Sequence, residues 1–240
     1  MQESRLFCVL PDYVCTPDGF EVDRYGNLIL SCPNYADDNI SGCVVKIDRE
    51  GNVKKWLDVP VHPETGVARN MGIAFDEDWN LYICDNQGWS ERPELLCKGR
   101  VLKVTVDDDG NILKTTVVAK NMEHPNGIRI KDGYMYVTQS YMHPEKRADG
   151  IVFDREGNLY IADFSANAIA KVSPEGKVER IAQSTDCTGV DGGLDQPGEH
   201  IVWDGKIVAS CFDLVTGPDK VNLKHEMPAT LVELSLPWEA

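Results

Sequence analysis

Hydrophobic and polar positions alternate along the chain in short runs, and polar turns rich in aspartate, asparagine and glycine separate the runs. The clearest example is DGIVFDREGNLYIADF, residues 149–164, in which two apolar segments flank the turn DREGN. Alternation with period two is typical of half-buried β-strands, and Asp, Asn and Gly at the junctions are typical of hairpin turns. The pattern therefore predicts an antiparallel all-β protein.

The same hairpin recurs in variant form along the whole sequence. The copies begin at Asp18, Met71, Asn126, Asp149 and Glu199. Three of the four intervals are 50 to 55 residues, which leaves room for two further strands after each hairpin. The interval from Asn126 to Asp149 is only 23 residues, so the chain is shortened or lacks a segment near residues 146–149. Four antiparallel strands in a repeat of this length are typical of a propeller blade.

The two ends of the chain are predicted to complete one blade. The strand-like run RLFCVL at residues 5–10 has no partner close in sequence, and the copy that begins at Glu199 has only three strands. Pairing between them would close the ring and leave no open sheet edge. We therefore predict a closed all-β propeller of four-stranded antiparallel blades that forms a single domain over residues 1–240.

Composition and charge narrow the function classes. Of the 240 residues, 42% are hydrophobic and 26% are charged, as in ordinary soluble globular proteins. The formal net charge of −15 would repel nucleic acids and anionic membranes, so neither is expected as a partner. The sequence shows no signal peptide and no apolar run that could span a membrane. We expect a cytoplasmic protein that acts on a small-molecule substrate.

The eight cysteines are predicted to be free. They form no C-x-x-C pair and have no histidine at zinc-finger spacing, and nothing points to an oxidising compartment. Because free cysteine is among the most buried residue types, those in or beside predicted strands are expected to be small core residues. These are Cys32, Cys43, Cys84 and Cys211.

Four aspartates in the hairpin turns are predicted to be structural. A calcium loop read over residues 105–116 would begin and end with threonine, so the essential carboxylates are absent. Aspartate in such turns accepts hydrogen bonds from the main chain two or more residues later. The four turn aspartates are Asp23, Asp76, Asp154 and Asp204.

The residue that begins each copy, which in four of the five copies lies five positions before a turn aspartate, has a different predicted role. Every copy begins its innermost strand at this position, so Asp18, Met71, Asn126, Asp149 and Glu199 should stand together at one mouth of the channel. Four of the five carry side-chain oxygens. A residue of this kind can also cap the turn into the strand. Converging carboxylates, however, repel each other unless a cation lies between them, and oxygen ligands favour calcium or magnesium over manganese or zinc.

The sequence resembles the SMP-30/gluconolactonase/LRE-like family of six-bladed propellers, which includes regucalcin and related lactonases. The similarity covers the whole chain through its repeats. The stretches that carry it are HPNGIRI around Asn126, ADGIVFDREGNLYIADF from Ala148 and PGEHIVWDGKIVAS from Pro197. The resemblance implies six blades and one divalent metal ion, calcium in the first place, that supports hydrolysis of a lactone.

The resemblance also implies roles for individual residues. Asn126 matches a metal-binding asparagine before glycine, and Asp149 matches an aspartate that is both a metal ligand and the general base. The family has a glutamate ligand in an early blade, within G-E-x-P-x-W. Asp18 stands at that place here, whereas the most similar motif is GEHIVW with Glu199, so both residues are kept as candidates for the third ligand.

Substrate-binding residues are predicted from one motif and from the loops. The family pattern R-x-N-D-G is altered here to ARNMG with Arg69 and Asn70, where Arg69 would orient an anionic or hydroxylated substrate or form a salt bridge instead. Loops between second and third strands should line the same mouth, because antiparallel connections alternate ends. They contribute Tyr35, Asn86, Trp89, His143 and Asn167.

The predicted reaction is the opening of a small, sugar-type or related lactone. The metal would polarise the carbonyl and activate a water molecule, and Asp149 would accept the proton. Two alternatives remain open. The same oxygen-rich centre suits a metal-dependent lyase or isomerase, and a propeller can also be a non-catalytic module that binds ligands or proteins.

Overall fold

The structure is a computed structural model that describes residues 4–87, 95, 97–131, 133–139, 148–163, 166–211 and 227–235. These residues form 18 β-strands in five antiparallel sheets, four of four strands and one of two. Within these ranges no helix has the length and apolar character needed to cross a membrane. The chain divides into a middle unit, Asp18–Met142, and a terminal unit, Met1–Pro17 with His143–Ala240. A single domain over the whole chain stays a prediction.

The strands follow the predicted repeat closely. In chain order they are β1 (Ser4–Val9), β2 (Phe20–Val22), β3 (Leu28–Cys32), β4 (Cys43–Ile47), β5 (Val53–Asp58), β6 (Asn70–Phe75), β7 (Leu81–Asp85), β8 (Gly99–Val106), β9 (Ile112–Met122), β10 (Pro125–Lys131), β11 (Tyr134–Gln139), β12 (Ala148–Phe153), β13 (Leu159–Asp163), β14 (Ala168–Val172), β15 (Val178–Gln183), β16 (Pro197–Trp203), β17 (Lys206–Cys211) and β18 (Thr230–Ser235). Runs of β-branched and aromatic residues between polar turns therefore located the strands correctly.

The middle unit contains two complete blades and a hairpin. The sheets have the orders β2-β3-β4-β5 and β6-β7-β8-β9, and β10 pairs with β11 alone. Alternate residues of the facing sheets share one apolar core, in which Ile29 and Val44 of the first blade pack with Ile73 and Leu102 of the second. Residues 140–147, which follow the hairpin and include part of the predicted short stretch, lie outside the described residues.

The terminal unit contains the other two complete blades. One sheet has the order β12-β13-β14-β15, and the other has the order β1-β18-β17-β16. The N-terminal strand thus supplies the outermost strand of the last blade, with Arg5 opposite Glu233 and Val9 opposite Thr230. This pairing confirms the predicted closure by the two chain ends, and the all-β propeller fold of four-stranded antiparallel blades is confirmed with it.

The hairpin turns are built as the sequence predicts. The carboxylate of Asp76 accepts hydrogen bonds from the main-chain N–H of Asn80 at 2.8 Å and from the side-chain amide of the same residue at 3.0 Å. Asp23 and Asp154 accept the same bonds from Asn27 and Asn158. These contacts lower the pKa of all three carboxyl groups against the opposing effect of their partial burial. The aspartates therefore stabilise turns, which confirms the structural interpretation for these three.

All eight cysteines are free, and Cys32, Cys43, Cys84 and Cys211 are buried, as expected. Burial raises the pKa of Cys84 and of Cys211 well above the ordinary thiol value. A protonated thiol in an apolar environment behaves as a small hydrophobic side chain. These two cysteines are therefore core residues.

Candidate functional site

Three of the predicted ring residues come together in the middle unit. A Cβ atom on Gly19, the residue after Asp18, would lie 2.9 Å from both the Cα atom of Gly72 and the carbonyl oxygen of Met71. A Cβ atom on Gly72 would lie 3.1 Å from the Cα atom of Gly127 and would collide with the carbonyl oxygen of Asn126. The inner strands of successive copies thus approach closely where they begin. Only glycine permits this approach after Asp18 and after Met71.

The side chain of Asp18 is almost fully buried at the start of its strand. Its main-chain N–H donates to the carbonyl of Ser31 at 2.8 Å, which ties it to the neighbouring strand β3. Its negative charge contributes to the raised pKa of Cys84, although burial is the larger cause. Met71, the next ring residue, accepts a hydrogen bond from the hydroxyl group of Tyr35 through its sulfur at 3.2 Å. The ring positions of the middle unit therefore comprise two residues with side-chain oxygens, Asp18 and Asn126, and one apolar residue, Met71.

The terminal unit brings the other two ring positions together. A Cβ atom on Gly150, which follows Asp149, would lie 2.6 Å from the carboxyl carbon of Glu199 and 2.7 Å from its Cα atom. The carboxylate of Glu199 therefore packs over the main chain beside Asp149. Its Oε1 atom also accepts from the N–H of His200 at 3.2 Å. The side chain of Asp149 lies outside the part of the chain that the structure describes, as do Trp89 and His143.

The ring positions of each unit carry oxygen donors of the kind that hard divalent cations prefer. Asp18 and Asn126 in the middle unit and Glu199 in the terminal unit offer carboxylate or amide oxygens, the ligands that calcium and magnesium prefer. Among the side chains that the structure describes, no group of three or more His, Cys, Asp or Glu residues is placed to hold a metal ion.

Arg69 is engaged inside the middle unit. Its guanidinium donates to the carbonyl oxygens of Pro33, Asn34 and Ile40 at 3.1 to 3.3 Å, and to the carboxylate of Asp38 at 2.9 Å. The residue is only 6% exposed. Arg69 therefore holds the loop between β3 and β4, and its predicted role in substrate binding stays a prediction.

Asn70 and two of the predicted loop residues are also buried in the fold. The amide of Asn70 donates to the hydroxyl of Ser31 at 2.6 Å and to the carbonyl of Cys43 at 2.9 Å. The main-chain N–H of Asn86 donates to the carbonyl of Arg69 at 2.8 Å. Asn167 accepts from the main-chain N–H of Gln196 at 3.0 Å. Asn70 therefore links β6 to β3 and β4, and the contacts of Asn86 and Asn167 hold loop segments in place.

A buried polar network that was not predicted lies at the end of the second blade. Asp85 is fully buried, and its carboxylate forms an ion pair with Arg100 at 2.6 Å. It also accepts from the main-chain N–H of Arg69 and from the side-chain amide of Gln87, both at 2.8 Å. The signal in the sequence was the pair of opposite charges at the end of LYICD and the start of RVLKVTV, which the register of β7 and β8 places opposite each other. This network fixes the loop that contains Asn86.

A second buried ionisable residue was missed in the terminal unit. His200 follows Glu199 on β16 and is 2% exposed. Neither ring nitrogen makes a hydrogen bond of standard geometry within the described residues. Burial lowers the pKa of His200 to about 4, and the main chain of Tyr160 only partly opposes this effect. The imidazole is therefore neutral at physiological pH.

No protein-family model and no curated protein matches the sequence. Solved structures do share the fold. A candidate phosphatase from Bacteroides thetaiotaomicron superimposes with a TM-score of 0.60 at 12% identity over 98% of this chain and 78% of that one. The PQQ-bound aldose sugar dehydrogenase from Streptomyces coelicolor gives 0.51 at 10% identity over 98% of both chains.

A gluconolactonase from Xanthomonas campestris is also similar, with a TM-score of 0.48 at 13% identity over 98% of this chain and 86% of that one. Identities this low show a shared fold and nothing about activity. The chain is thus distantly similar in structure to enzymes of several reaction types.

Proposed function

We propose that the protein is a metal-dependent hydrolase that opens a small lactone of the sugar type. The motifs around Asn126, Asp149 and Glu199 support the proposal by their resemblance to the lactonase family. The observation that carries it is the packing of the Glu199 carboxylate over the main chain beside Asp149, because this makes two acidic residues neighbours where adjacent inner strands begin. Acidic residues in such a place favour a bound cation.

The chain's own residues would hold the cation and move one proton. We propose Asn126, Asp149 and Glu199 as ligands, with Asp18 as the alternative third ligand. Glu199 is favoured because it is half-buried and adjoins Asp149, whereas Asp18 is nearly fully buried. A bound divalent cation supplies Lewis acidity toward the lactone carbonyl and lowers the pKa of a water molecule. Asp149 would accept the proton of that water as it attacks.

The test is hydrolysis of a panel of sugar and aromatic lactones by the purified full-length chain, with and without a chelator. We expect chelator-sensitive hydrolysis of at least one lactone. Asp149→Asn should reduce turnover by roughly 10²- to 10⁴-fold, the usual contribution of a general base. Asp163→Asn, in the half-buried acid that ends the next strand, is the matched control and should keep the activity.

The same assay separates the alternatives. Hydrolysis that persists after chelation and in Asp149→Asn would contradict the proposed mechanism. Tight binding of a divalent cation without hydrolysis of any lactone would point to a lyase or isomerase. If the protein neither binds a divalent cation nor hydrolyses a lactone, the non-catalytic binding propeller would remain. In that case Arg69 and Asn70 would have only the structural roles that their internal hydrogen bonds indicate.

A further inference from the structure

Two cysteines face each other across the second and third strands of the first blade. Cys32 is the last residue of β3, Cys43 is the first residue of β4, and the two are direct partners in the antiparallel register. Opposed residues in such a pair have Cα atoms about 4.5 to 5.5 Å apart, within the range of about 4.4 to 6.8 Å found in disulfides. The backbone is therefore already placed for a cross-strand disulfide.

The equivalent pair in the second blade shows that side chains at this position meet. Asp85 and Arg100 are register partners in the same place, at the ends of β7 and β8 that flank the loop, and their charged groups are 2.6 Å apart. In the last blade, the corresponding residues are Cys211 and Thr230. Among the four complete blades that the structure describes, only the first places two thiols opposite each other.

The two thiols differ chemically from the other buried cysteines. A hydrogen bond from Cys32 lowers the pKa of Cys43 and outweighs the opposing effect of burial. Burial raises the pKa of the unpaired thiols Cys8 and Cys84 instead. Since the thiolate is the reactive form of cysteine, the pKa of Cys43 is shifted toward reactivity, whereas the pKa values of Cys8 and Cys84 are shifted away from it.

We propose that Cys32 and Cys43 are a redox-active pair that a hydroperoxide converts into a disulfide at the base of loop 33–42. The Sγ atom of Cys43, as the thiolate, attacks one peroxide oxygen, the O–O bond breaks, and the released hydroxide leaves as water with the thiol proton. The Sγ atom of Cys32 then attacks the sulfenyl sulfur, and its proton and the hydroxyl group leave as a second water. Two electrons from the sulfurs thus reduce hydrogen peroxide to two water molecules.

The disulfide would close loop 33–42, which Arg69 already holds through hydrogen bonds. Arg69 binds three carbonyl oxygens in this loop, and the ring of Tyr35 lies 5.6 Å from the guanidinium carbon. A covalent bond at the base would close the loop and reduce the conformational freedom of the unfolded chain. Oxidation should therefore stabilise the middle unit, whether or not the proposed hydrolase activity is correct.

The experiment uses the folded full-length chain, treated with hydrogen peroxide and then with an alkylating agent under denaturing conditions. Trypsin should release residues 25–46 as one peptide that contains Cys32 and Cys43 and no other cysteine. We expect this peptide to escape alkylation and to be lighter by two hydrogen atoms. Cleavage before Asp37 should leave two fragments that stay joined until a dithiol reduces them.

Controls keep the test decisive. The exposed thiol of Cys97 reports that the oxidant has acted. Cys43→Ser should abolish the linked fragments, whereas Cys211→Ser, at the matching position of the last blade, should leave them unchanged. Full alkylation of residues 25–46 after Cys97 has been oxidised would overturn the proposal. Equally fast linkage in urea-unfolded protein would also overturn it, because the native register would then not be responsible.

Discussion

The two units of the molecule treat a buried ionisable side chain in opposite ways. In the middle unit, Asp85 is fully buried but accepts hydrogen bonds from Gln87 and from the main chain of Arg69, and Arg100 pairs with it. In the terminal unit, His200 is equally enclosed but makes no standard hydrogen bond through its ring within the described residues. The environment of Asp85 compensates the negative charge of the carboxylate, whereas the environment of His200 disfavours the positive charge of a protonated imidazole.

Asp85 and His200 therefore have different structural roles in their blades. Asp85 and Arg100 hold the end of the second blade together, so removal of one partner leaves an uncompensated charge. His200 packs as a neutral ring in the middle of the inner strand β16, so it is vulnerable to protonation. The largest effects of mutation and of pH should therefore occur in different units.

Loss of the ion-pair partner should have the largest effect. We expect Arg100→Met to lower the free energy of unfolding by about 3–5 kcal/mol, because the Asp85 carboxylate would remain buried without its cation. Urea denaturation at pH 7 would measure the change. The double variant Asp85→Leu/Arg100→Met should recover much of the loss, and a double variant as unstable as the sum of two single variants would contradict the account.

Protonation of His200 should be the next largest effect. The pKa of His200 in the folded chain is about 4, below the ordinary value, so the unfolded state binds this proton first as pH falls. The contribution of His200 to stability is therefore present above about pH 6.5 and is lost toward pH 4, by up to about 3 kcal/mol.

Urea denaturation of wild type and His200→Leu at several pH values would measure this effect. The difference in free energy of unfolding between the two proteins should change in favour of the variant as pH falls from 7 to 4. A constant difference over this range would show that the folded imidazole titrates normally. Such a result would remove the contrast with Asp85.

Replacement of Arg69 measures the contribution of a buried guanidinium whose positive charge is compensated mainly by main-chain carbonyl oxygens. Arg69→Met should cost about 1–3 kcal/mol, because carbonyl oxygens of Pro33, Asn34 and Ile40 would lose their donor. Urea denaturation provides the measurement. The matched control is Arg180→Met, whose ion pair with Asp163 is exposed and should contribute less than about 1 kcal/mol. Equal effects would contradict a structural role for Arg69.

The turn aspartates should have the smallest effect. Asp154→Ala removes the acceptor for the main-chain and side-chain amides of Asn158 and should cost about 1 kcal/mol. The exposed Asp109 in another turn offers a control, and Asp109→Ala should change the free energy of unfolding very little. Thermal melting of the two variants would detect the difference, and equal melting temperatures would contradict it.

Much of the fold could be predicted because it depends on local pattern. The alternating segment FEV and the apolar run LILSC located β2 and β3 with their observed ends, and the unpaired run near Leu6 correctly indicated closure by β1. The turn aspartates could be predicted because their hydrogen bonds span only four residues. The division of the chain into two compact units could not, because it depends on contacts between distant residues.

The site was harder to predict for the same reason. The close approach of Gly150 and Glu199 follows from the repeat, so the neighbouring ring positions could be anticipated. The engagement of Arg69 with loop 33–40 could not, since the sequence shows its charge but not which carbonyl oxygens surround it. A buried arginine and a substrate-binding arginine look alike until the partners are known.

The most direct test of the central claim is calorimetric titration of chelator-stripped protein with Ca²⁺. If the inner-strand positions hold a cation, wild type and Asp163→Asn should bind one ion per chain, and both Asp149→Asn and Glu199→Gln should lose that binding while they remain folded. If Glu199→Gln kept Ca²⁺ binding and Asp18→Asn lost it, Asp18 and not Glu199 would be the third ligand. Unchanged binding in Asp149→Asn, or no binding of any divalent cation by wild type, would contradict the claim.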